Sequence, residues 1–293
     1  MKTYVLYNPF SNNKMGYVEA QKLNDILKGE ELEFVDMTSI SSYADFFGAI
    51  GSDRKVVVCG GDGTLNRFVN DAKGVELKNI YYYACGSGND FLTDLGKTVG
   101  CEPFCIDEYI TGLPTVNVCG KDYYFINGVG YGIDGYCCEV ADEIKKTSDK
   151  PINYSSIAIK GLLGKFKTRN AKVTVDGQTH EFKNVWLAPA MNGRFYGGGM
   201  MIAPGQDRTK NDTVSVVVLH NKSKLGTLIV FPSIFKGEHV KKEKMVSVFT
   251  GKDVTVEFDK PTALQIDGET ILGVMKYTAK APVYAEEKDK ATV

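Results

Sequence analysis

The chain has 293 residues, 35 of them basic and 36 acidic, so that its formal net charge is −1. This balance argues against a dedicated nucleic-acid binder, which carries a strong basic excess or a basic face. The seven cysteines include no C-x-x-C pair, which disfavours a zinc site and indicates free thiols.

The first part of the chain alternates between strand and helix patterns. Helices are predicted at 17–28, 42–50 and 64–72, and strands at 3–8, 32–37, 55–59 and 80–85. This alternation predicts an α/β domain over residues 1–118 with a parallel sheet.

After residue 118 short strand patterns dominate. Asp176–Gly177 forms the turn of a predicted hairpin over 172–182. Further strands are predicted at 213–220, 253–259 and 263–267, and helices at 134–147 and 153–166. We expect a mainly antiparallel β-sandwich domain over 119–280, and a charged tail, 281–293, that could pack back on the first domain.

No targeting or membrane-spanning segment is evident. The opening MKTYVLYN lacks the apolar core of a signal peptide, and the longest apolar run, 225–235, is shorter than a membrane span. The expectation is a cytoplasmic protein.

Three loops follow predicted strands of the first domain, at residues 8–16, 60–64 and 86–90. Ligands of α/β sheets bind at the carboxyl ends of strands, where glycines leave backbone N–H groups open to phosphate. Each loop also has a plainer interpretation: Asp62 or Thr64 could cap a helix, as could Asn89 or Asp90. The first loop could be an ordinary turn.

Other phosphate-binding motifs are missing. The sequence has no G-x-x-x-x-G-K-[ST] and no H-R-D or D-F-G, which excludes Walker-type NTPases and protein kinases. Residues 130–135, GYGIDG, fit G-x-G-x-x-G. The strand ending in an acidic residue that a Rossmann site requires does not follow, so a dinucleotide site there is disfavoured.

GGDGTLN (60–66) followed by GSGNDF (86–91) resembles the diacylglycerol kinase catalytic domain of bacterial lipid kinases. That family is similar to sphingosine kinases and belongs with NAD kinases and phosphofructokinases. The resemblance extends over nearly the whole chain through NPFSNN (8–13), NGVGYGIDG (127–135), residues 192–218 and QIDGE (265–269). It implies an NAD kinase-like first domain.

The resemblance also implies ligands and roles. ATP would be the phosphoryl donor, bound by the nucleotide-binding first domain, 1–118, between the two domains. The acceptor would be a hydroxyl of diacylglycerol or a related lipid, which the second domain, 119–280, would take as its substrate. The implied ATP contacts are Asn8, Pro9, Phe10, Ser11, Asn12, Thr38, Gly61, Asp62, Gly63, Thr64, Leu65, Asn66, Arg67 and Ser87. Glu269 would be the catalytic base, with Asp62 and Asp90 as essential carboxylates. Asp212 would anchor Mg²⁺, with Thr209 and the Val214 carbonyl as further ligands.

Elementary chemistry agrees with separate residues for proton removal and for phosphate binding. A lipid hydroxyl needs a positioned proton acceptor, whereas γ-phosphoryl transfer needs positioning and charge neutralisation. A carboxylate beside polyphosphate repels it unless a metal lies between them, so Asp62 fits a metal or water network better than a phosphate contact. The sequence leaves open whether Asp62 or Glu269 is the base, with Glu269 favoured by the resemblance.

Four residues depart from the family pattern. Arg67 stands where an acidic residue is usual, Asp71 where glycine is frequent, and Thr213 and Ser215 replace a glycine and an acidic residue. These departures weaken the metal-site assignment. Arg67 also leaves open a nucleotide-binding regulatory protein with weak or lost turnover, although Asp62, Asp90, Asp212 and Glu269 are retained. An NAD kinase is a further alternative because it shares GGDGT, but GSGNDF favours the lipid kinases.

A lipid kinase has to reach the membrane surface, so we expect a peripheral location at the inner face. Residues 153–169 mix apolar and basic side chains as an interfacial helix does, and a basic cluster lies at 241–244. The alternative is a helix packed on the β domain with a solvated basic edge. The resemblance makes a homodimer plausible.

Two further features admit plain interpretations. Asp134 is either a substrate contact or a helix N-cap. The three histidines show no triad pattern and are interpreted as structural or exposed.

Overall fold

The computed structural model describes residues 2–86, 88–147, 152, 154–210, 212–220 and 223–282. It divides into two compact units, Met1–Gly112 and Leu113–Val293. The sequence placed this boundary after residue 118. The predicted packing of the tail falls, from residue 283 on, outside the described residues.

The first unit is built on a five-stranded sheet in the order β2-β1-β3-β4-β5. Its strands are β1 (Lys2–Tyr7), β2 (Glu31–Asp36), β3 (Arg54–Gly60), β4 (Ile80–Ala84) and β5 (Phe104–Cys105). Strands β1 to β4 run parallel, and β5 is antiparallel to β4. This confirms the predicted α/β domain. Because β1, β3 and β4 are parallel neighbours, the loops that follow them leave the same edge of the sheet.

Short helices connect these strands. They are α1 (Ser11–Lys14), α2 (Gly16–Gln21), α3 (Leu23–Ile26), α4 (Tyr43–Ile50), α5 (Asp62–Asp71), α6 (Asp90–Asp94) and α7 (Asp107–Ile110), with a 3-10 turn at Met37–Ser39. The helix predicted at 17–28 is thus two short helices. In α5, Leu65, Phe68 and Val69 are buried, as their spacing predicts.

The second unit contains one large, mainly antiparallel sheet. Its strands, together with the separate β12–β13 hairpin, are β6 (Thr115–Val118), β7 (Lys121–Tyr124), β8 (Gly128–Tyr131), β9 (Arg169–Val175), β10 (Gln178–Leu187), β11 (Ala190–Met191), β12 (Phe195–Tyr196), β13 (Met200–Met201), β14 (Val214–His220), β15 (Val246–Gly251), β16 (Asp253–Ile266) and β17 (Glu269–Lys280). The sheet order is β7-β6-β17-β16-β8-β11-β14-β10-β9, and β15 pairs with β14. Since β16 also pairs with β9, six of these strands form a closed ring.

One predicted hairpin of this unit is confirmed, whereas one predicted break between strands is wrong. The hairpin of β9 and β10 is confirmed, with Asp176 at φ 47° and Gly177 at φ 83°. The strands predicted at 253–259 and 263–267 are a single strand, β16. Its register against β17 shifts between Glu257 and Thr262, where Pro261 cannot donate a backbone hydrogen bond.

The helices of the second unit cover one part of its core. They are α8 (Ile133–Lys145), α9 (Tyr154–Lys160) and α10 (Lys224–Val230), with a π-helical turn at Gly161–Lys165 and 3-10 segments at Phe231–Lys236 and Glu238–Lys241. Trp186, Leu162 and Val230 are buried in the cluster that these helices share with the sheet. Among the described residues, no helix is both long and apolar enough to cross a bilayer.

The cysteines are free thiols, and the histidines are either buried or packed against aromatic rings. All seven cysteines are free; Cys59, Cys85 and Cys137 are buried, whereas others are partly or fully exposed. His239 is buried, and burial lowers its pKa. His180 and His220 lie against phenylalanine rings, which confirms the structural interpretation.

Candidate active site

The loops after β3 and β4 touch backbone to backbone. A Cβ on Gly86 would lie 2.3 Å from the Gly61 Cα, and one on Gly61 would lie 2.6 Å from the Gly88 carbonyl oxygen. The Asp62 N–H donates to that same carbonyl at 3.0 Å. No side chain fits between these loops, so Gly61 and Gly86 are needed for the loops to pack. They also leave the backbone N–H groups uncovered by side chains.

Asp62 joins the two loops through its carboxylate. Asp62 is buried, and its Oδ2 and Oδ1 accept the backbone N–H groups of Asp90 at 2.6 Å and Phe91 at 3.2 Å. These are first-turn N–H groups of α6, which have no partner within the helix. Asp62 therefore caps a helix, but a different one from the helix on which it lies.

The rest of the GGDGTLN segment divides between core and surface. Thr64, Leu65 and Asn66 are buried, so that the Leu65 side chain belongs to the core of the unit. Arg67 is exposed, and its Nε lies 3.2 Å from Asp71 Oδ2. The two departures from the family pattern in α5 are thus ion-pair partners one turn apart on its surface.

The loop after β1 has an unusual backbone. Asn12, Asn13 and Lys14 have φ of 46°, 55° and 67°, a left-handed run in which asparagine is tolerated best. Asn8 fixes the start of this loop, because its Oδ1 accepts the Phe10 N–H at 3.0 Å and its carbonyl accepts the Ser11 hydroxyl at 2.8 Å. The Phe10 side chain is exposed.

Thr38 lies just after β2 and belongs to a small capping arrangement. Its N–H and its hydroxyl both donate to Asp36 Oδ1, at 2.8 and 2.7 Å. Its role as an ATP contact stays a prediction, as do those of Pro9 and Gly63. Ser87 lies outside the described residues.

Asn89 and Asp90 complete the loop after β4. The Asn89 amide donates to the Gly86 carbonyl at 2.7 Å, while its Oδ1 is buried without a hydrogen-bond partner among the described residues. Neither side chain caps α6, because the cap comes from Asp62. Asp90 is buried.

In the second unit, the Asp267 carboxylate holds the D-G-E turn in place. It accepts the N–H groups of Ile126, Asn127 and Gly128, the last two at 2.8 and 3.0 Å. Glu269 is exposed as the first residue of β17, paired with Ile266. The predicted base thus lies on a turn that is tied to the start of β8.

Two buried polar side chains hold the same segment from its carbonyl side. Arg208 donates to the Ile126 carbonyl at 3.1 Å and to Asn127 Oδ1 at 2.8 Å, and the Asn192 amide donates to the Ile126 carbonyl at 2.9 Å. The sequence alone indicated no role for Asp267, Arg208 or Asn192. Their partners are distant in sequence, so no spacing could have indicated them.

The GYGIDG segment is rich in glycine because it packs closely against β16 and β10. A Cβ on Gly135 would lie 1.9 Å from the Ala263 carbonyl oxygen, and one on Gly130 would lie 2.5 Å from Gln265 Nε2. A Cβ on Gly132, whose φ is 103°, would lie 2.4 Å from the Trp186 carbonyl oxygen of β10, so close packing accounts for all three glycines without a dinucleotide.

Asp134 lies in the first turn of α8 and is not its N-cap, which is Gly132. Burial raises the pKa of Asp134 to about 7, against the smaller, opposing effect of the nearby Tyr196 hydroxyl. Asp134 is therefore a carboxyl group that can change protonation near neutral pH.

The residues predicted to hold Mg²⁺ offer few ligands. Asp212 is exposed, and the Thr209 hydroxyl donates to Asp207 Oδ1 at 2.6 Å. Ser215 donates its hydroxyl to Gln206 Oε1 at 2.5 Å. No group of three or more His, Cys, Asp or Glu in the described part of the chain could hold a metal. One carboxylate suits a Mg²⁺ ion that keeps most of its water.

Two families of known proteins match the chain, one for each unit. Residues 2–112 match the diacylglycerol kinase catalytic domain, and residues 127–283 match the YegS C-terminal NAD kinase beta sandwich-like domain. Together with the parallel α/β sheet and the antiparallel β unit, these matches define a two-domain protein of NAD kinase-like fold. The chain belongs to the diacylglycerol kinase catalytic-domain family of lipid kinases.

Individual relatives are similar over most of their length. A diacylglycerol kinase of Mycobacterium tuberculosis (strain ATCC 25618 / H37Rv) is 26% identical over 216 residues, 71% of this chain and 68% of the relative. One of Staphylococcus carnosus (strain TM300) is 24% identical over 283 residues, 90% and 87% of the two chains. The crystal structure of a Bacillus anthracis str. Sterne diacylglycerol kinase superimposes with a TM-score of 0.59 at 17% identity, covering 96% of this chain and 93% of that one. Because the sequence identity of this last pair is low, the superposition supports a shared fold alone.

Proposed function

We propose that the protein transfers the γ-phosphoryl group of ATP to a hydroxyl of diacylglycerol or a related lipid. The observation that carries the proposal is the joined pair of glycine loops at the carboxyl ends of β3 and β4. Gly61 and Gly86 bring the loops into contact, and Asp62 fixes the start of α6. Two helix starts, α5 and α6, then lie side by side at the edge where phosphate binds in such sheets.

On the nucleotide side, the proposed ATP contacts are those of the three loops and Thr38 named above. Leu65 is buried, so it would contribute backbone groups rather than its side chain. Asp62 and Asp90 are buried at the junction of the loops, where they would orient the phosphate-binding backbone.

On the acceptor side, Glu269 is the proposed general base. It is exposed, and the Asp267 hydrogen bonds fix the turn that carries it. Glu269 would take the proton from the lipid hydroxyl as the oxygen attacks the γ-phosphorus. Asp62 is less suited to that role, because both of its carboxylate oxygens already accept backbone N–H groups of α6.

Mg²⁺ is part of the proposal. When bound, it would neutralise charge on the phosphate oxygens. Asp212, Thr209 and the Val214 carbonyl remain its proposed ligands, with water completing the shell. The proposed setting is the inner surface of a membrane, where the protein would work as a peripheral enzyme.

The proposal is tested with radiolabelled ATP, Mg²⁺ and a panel that contains diacylglycerol, related hydroxyl lipids and NAD. We expect label in a lipid product, and loss of at least about a thousandfold in rate for Glu269→Gln, because the proton acceptor is removed. Glu181→Gln, also an exposed strand glutamate, is the matched control and should keep full activity. Absence of labelled lipid would contradict the proposal, and label in NAD would favour the NAD kinase alternative.

A further inference from the structure

Two buried cysteines lie in contact just before the two glycine loops. Cys59 is the last residue but one of β3, and Cys85 follows the end of β4. Their Sγ atoms are 3.1 Å apart, and the two residues are 0% and 6% exposed. Both thiols are free, so this is a contact between two S–H groups and not a disulfide bond.

The parallel sheet explains why these two side chains meet. Strands β3 and β4 are neighbours in which Cys59 lies opposite Tyr83. Cys85 comes two residues after Tyr83, so its side chain lies on the same face of the sheet as that of Cys59. One core cluster of the first unit contains Cys59, Tyr83 and Cys85 together with Ala20 and Leu23. Strand pairing and core packing therefore hold the two thiols side by side.

The thiol contact is close to the geometry of a disulfide bond but is longer than one. A disulfide bond is about 2.05 Å long, so the two sulfur atoms have to approach each other by about 1 Å to form it. The Cys59 thiol keeps its proton, because its hydrogen bond with Cys85 and its burial both raise its pKa. Cys85 is the more exposed of the two and is therefore the residue that a small oxidant reaches first.

A movement of this size reaches the glycine loops, because they begin at the next residues of the chain. Gly60 follows Cys59, and Gly86 follows Cys85. The Cys85 N–H donates to the Gly60 carbonyl at 3.0 Å, and the backbones of Gly61 and Gly86 leave no room for a Cβ between them. Loops that are packed this closely transmit a shift of about 1 Å to their contact instead of absorbing it.

We propose that Cys59 and Cys85 form a reversible redox switch that controls the two glycine loops. Oxidation by a peroxide joins the two sulfur atoms, displaces the loops and weakens the binding of a nucleoside triphosphate. Reduction by a dithiol restores the loops. The proposal rests on the proposed function, because it names a way in which the nucleotide side of that site is regulated.

The oxidation balances with one molecule of hydrogen peroxide. The Cys85 sulfur, as its thiolate, attacks one peroxide oxygen and becomes a sulfenic acid, while the O–O bond breaks. The other oxygen leaves as hydroxide and takes up the proton that Cys85 released, which gives water. The Cys59 sulfur then attacks the Cys85 sulfur, so that the S–S bond forms, the S–O bond breaks and a second water leaves with the Cys59 proton. The two thiols lose two protons and two electrons, and thiol–disulfide exchange with a dithiol returns them.

Treatment of the full chain with a small molar excess of hydrogen peroxide tests the switch. The treated protein should lose two of its seven titratable thiols, and peptide mapping should find a bond between Cys59 and Cys85. Its affinity for ATP, measured by calorimetry with Mg²⁺, should fall at least about tenfold. Hydrogen exchange of the Asp90 and Phe91 amides, which donate to Asp62, should accelerate in the oxidised protein. Dithiothreitol should reverse all these changes.

Cysteine variants distinguish a switch from a contact that only stabilises the core. Cys59→Ala and Cys85→Ala should each bind ATP like the reduced wild type and should not respond to peroxide. Cys137→Ala removes a buried thiol of the second unit, and Cys105→Ala removes an exposed thiol of the first; both should respond like the wild type. Because peptide mapping and the ATP titration use the wild-type protein, they decide the proposal even where a variant fails to fold.

Retention of all seven thiols, or a disulfide between other cysteines alone, would overturn the proposal. So would a bond between Cys59 and Cys85 that leaves ATP affinity and amide exchange unchanged, or a Cys59→Ala variant that loses ATP affinity in peroxide as the wild type does. If the reduced protein binds no ATP, the proposed function fails on its nucleotide side, whereas peptide mapping and amide exchange still decide the switch.

Discussion

At the residue scale, Asp62 has a structural task that its motif does not reveal. Its carboxylate accepts the N–H groups of Asp90 and Phe91, so removal of the side chain leaves two buried donors without this acceptor. We expect Asp62→Ala to cost about 2 kcal/mol in the free energy of unfolding. Hydrogen exchange of the Asp90 and Phe91 amides should accelerate.

Asp71→Ala is the control, because Asp71 is half exposed and forms only a surface ion pair. It should leave this exchange unchanged and alter the free energy of unfolding by less than about 0.5 kcal/mol. Unchanged exchange in Asp62→Ala would mean that the carboxylate does not cap α6 in solution.

Asp134 predicts a pH dependence of stability. Its pKa rises from an ordinary 3.8 to about 7 through burial, so the folded state binds more protons than the unfolded state between these values. Stability should therefore fall as the pH rises from about 4 to about 7 and then level off. Asp134→Asn should remove this slope and gain roughly 1 to 3 kcal/mol at pH 8.

Urea unfolding at pH 5 and pH 8, followed by Trp186 fluorescence, measures the effect in the unit that contains Asp134. If the free energy of unfolding changes equally between pH 5 and pH 8 in the wild type and in Asp134→Asn, burial does not raise the pKa of this carboxyl group. Asp142→Asn, an exchange of a less buried carboxylate on the same helix, serves as the comparison.

The sequence was informative for single residues where local geometry is decisive. It located the glycines of both loops, and the turn at Asp176–Gly177 is confirmed. It gave no sign of the Asp267 hydrogen bonds, whose partners lie 139 to 141 residues away. Such contacts depend on how strands pair, and no short-range pattern encodes them.

At the scale of elements, the two glycine loops pack directly against each other. Gly86→Ala should be severely destabilising, by more than about 3 kcal/mol, because the new Cβ would meet the Gly61 backbone at 2.3 Å. ATP affinity should be lost together with the loop contact. Equilibrium unfolding and ATP titration by calorimetry measure the two effects.

Gly88→Ala provides a matched control in the same loop. The nearest atom to its Cβ would be Asp62 Oδ2 at 3.8 Å, an ordinary contact. Gly88→Ala should fold and bind ATP like the wild type. Equal damage from both substitutions would indicate that loop flexibility, rather than close packing, is what the glycines provide.

Element boundaries followed periodicity well where one face is buried, as in α5. They failed at β16, because a proline inside a strand looks like a break until the pairing with β17, β8 and β9 is known. The outer face of α10, where Leu225 and Ile229 are exposed, could not be predicted either. The sequence shows an apolar run, but only the fold shows which side chains it leaves exposed.

At the scale of the whole molecule, each of the two units has hydrophobic core residues of its own. Val5, Leu23 and Val57 belong to a core of the first unit, and Trp186 belongs to a core of the second. Trp186 is the only tryptophan of the chain and is 2% exposed. Its fluorescence therefore reports on unfolding of the second unit alone.

This separation makes the effects of two substitutions distinguishable. Asp267→Ala leaves three backbone N–H groups of the second unit without their acceptor and should lower the Trp186 unfolding midpoint, at a cost of roughly 2 to 3 kcal/mol. Gly86→Ala should leave that midpoint in place and should instead accelerate hydrogen exchange in β3 and β4. If each substitution shifts both readouts equally, the two units unfold as one cooperative body, and independent cores cannot account for the stability of the protein.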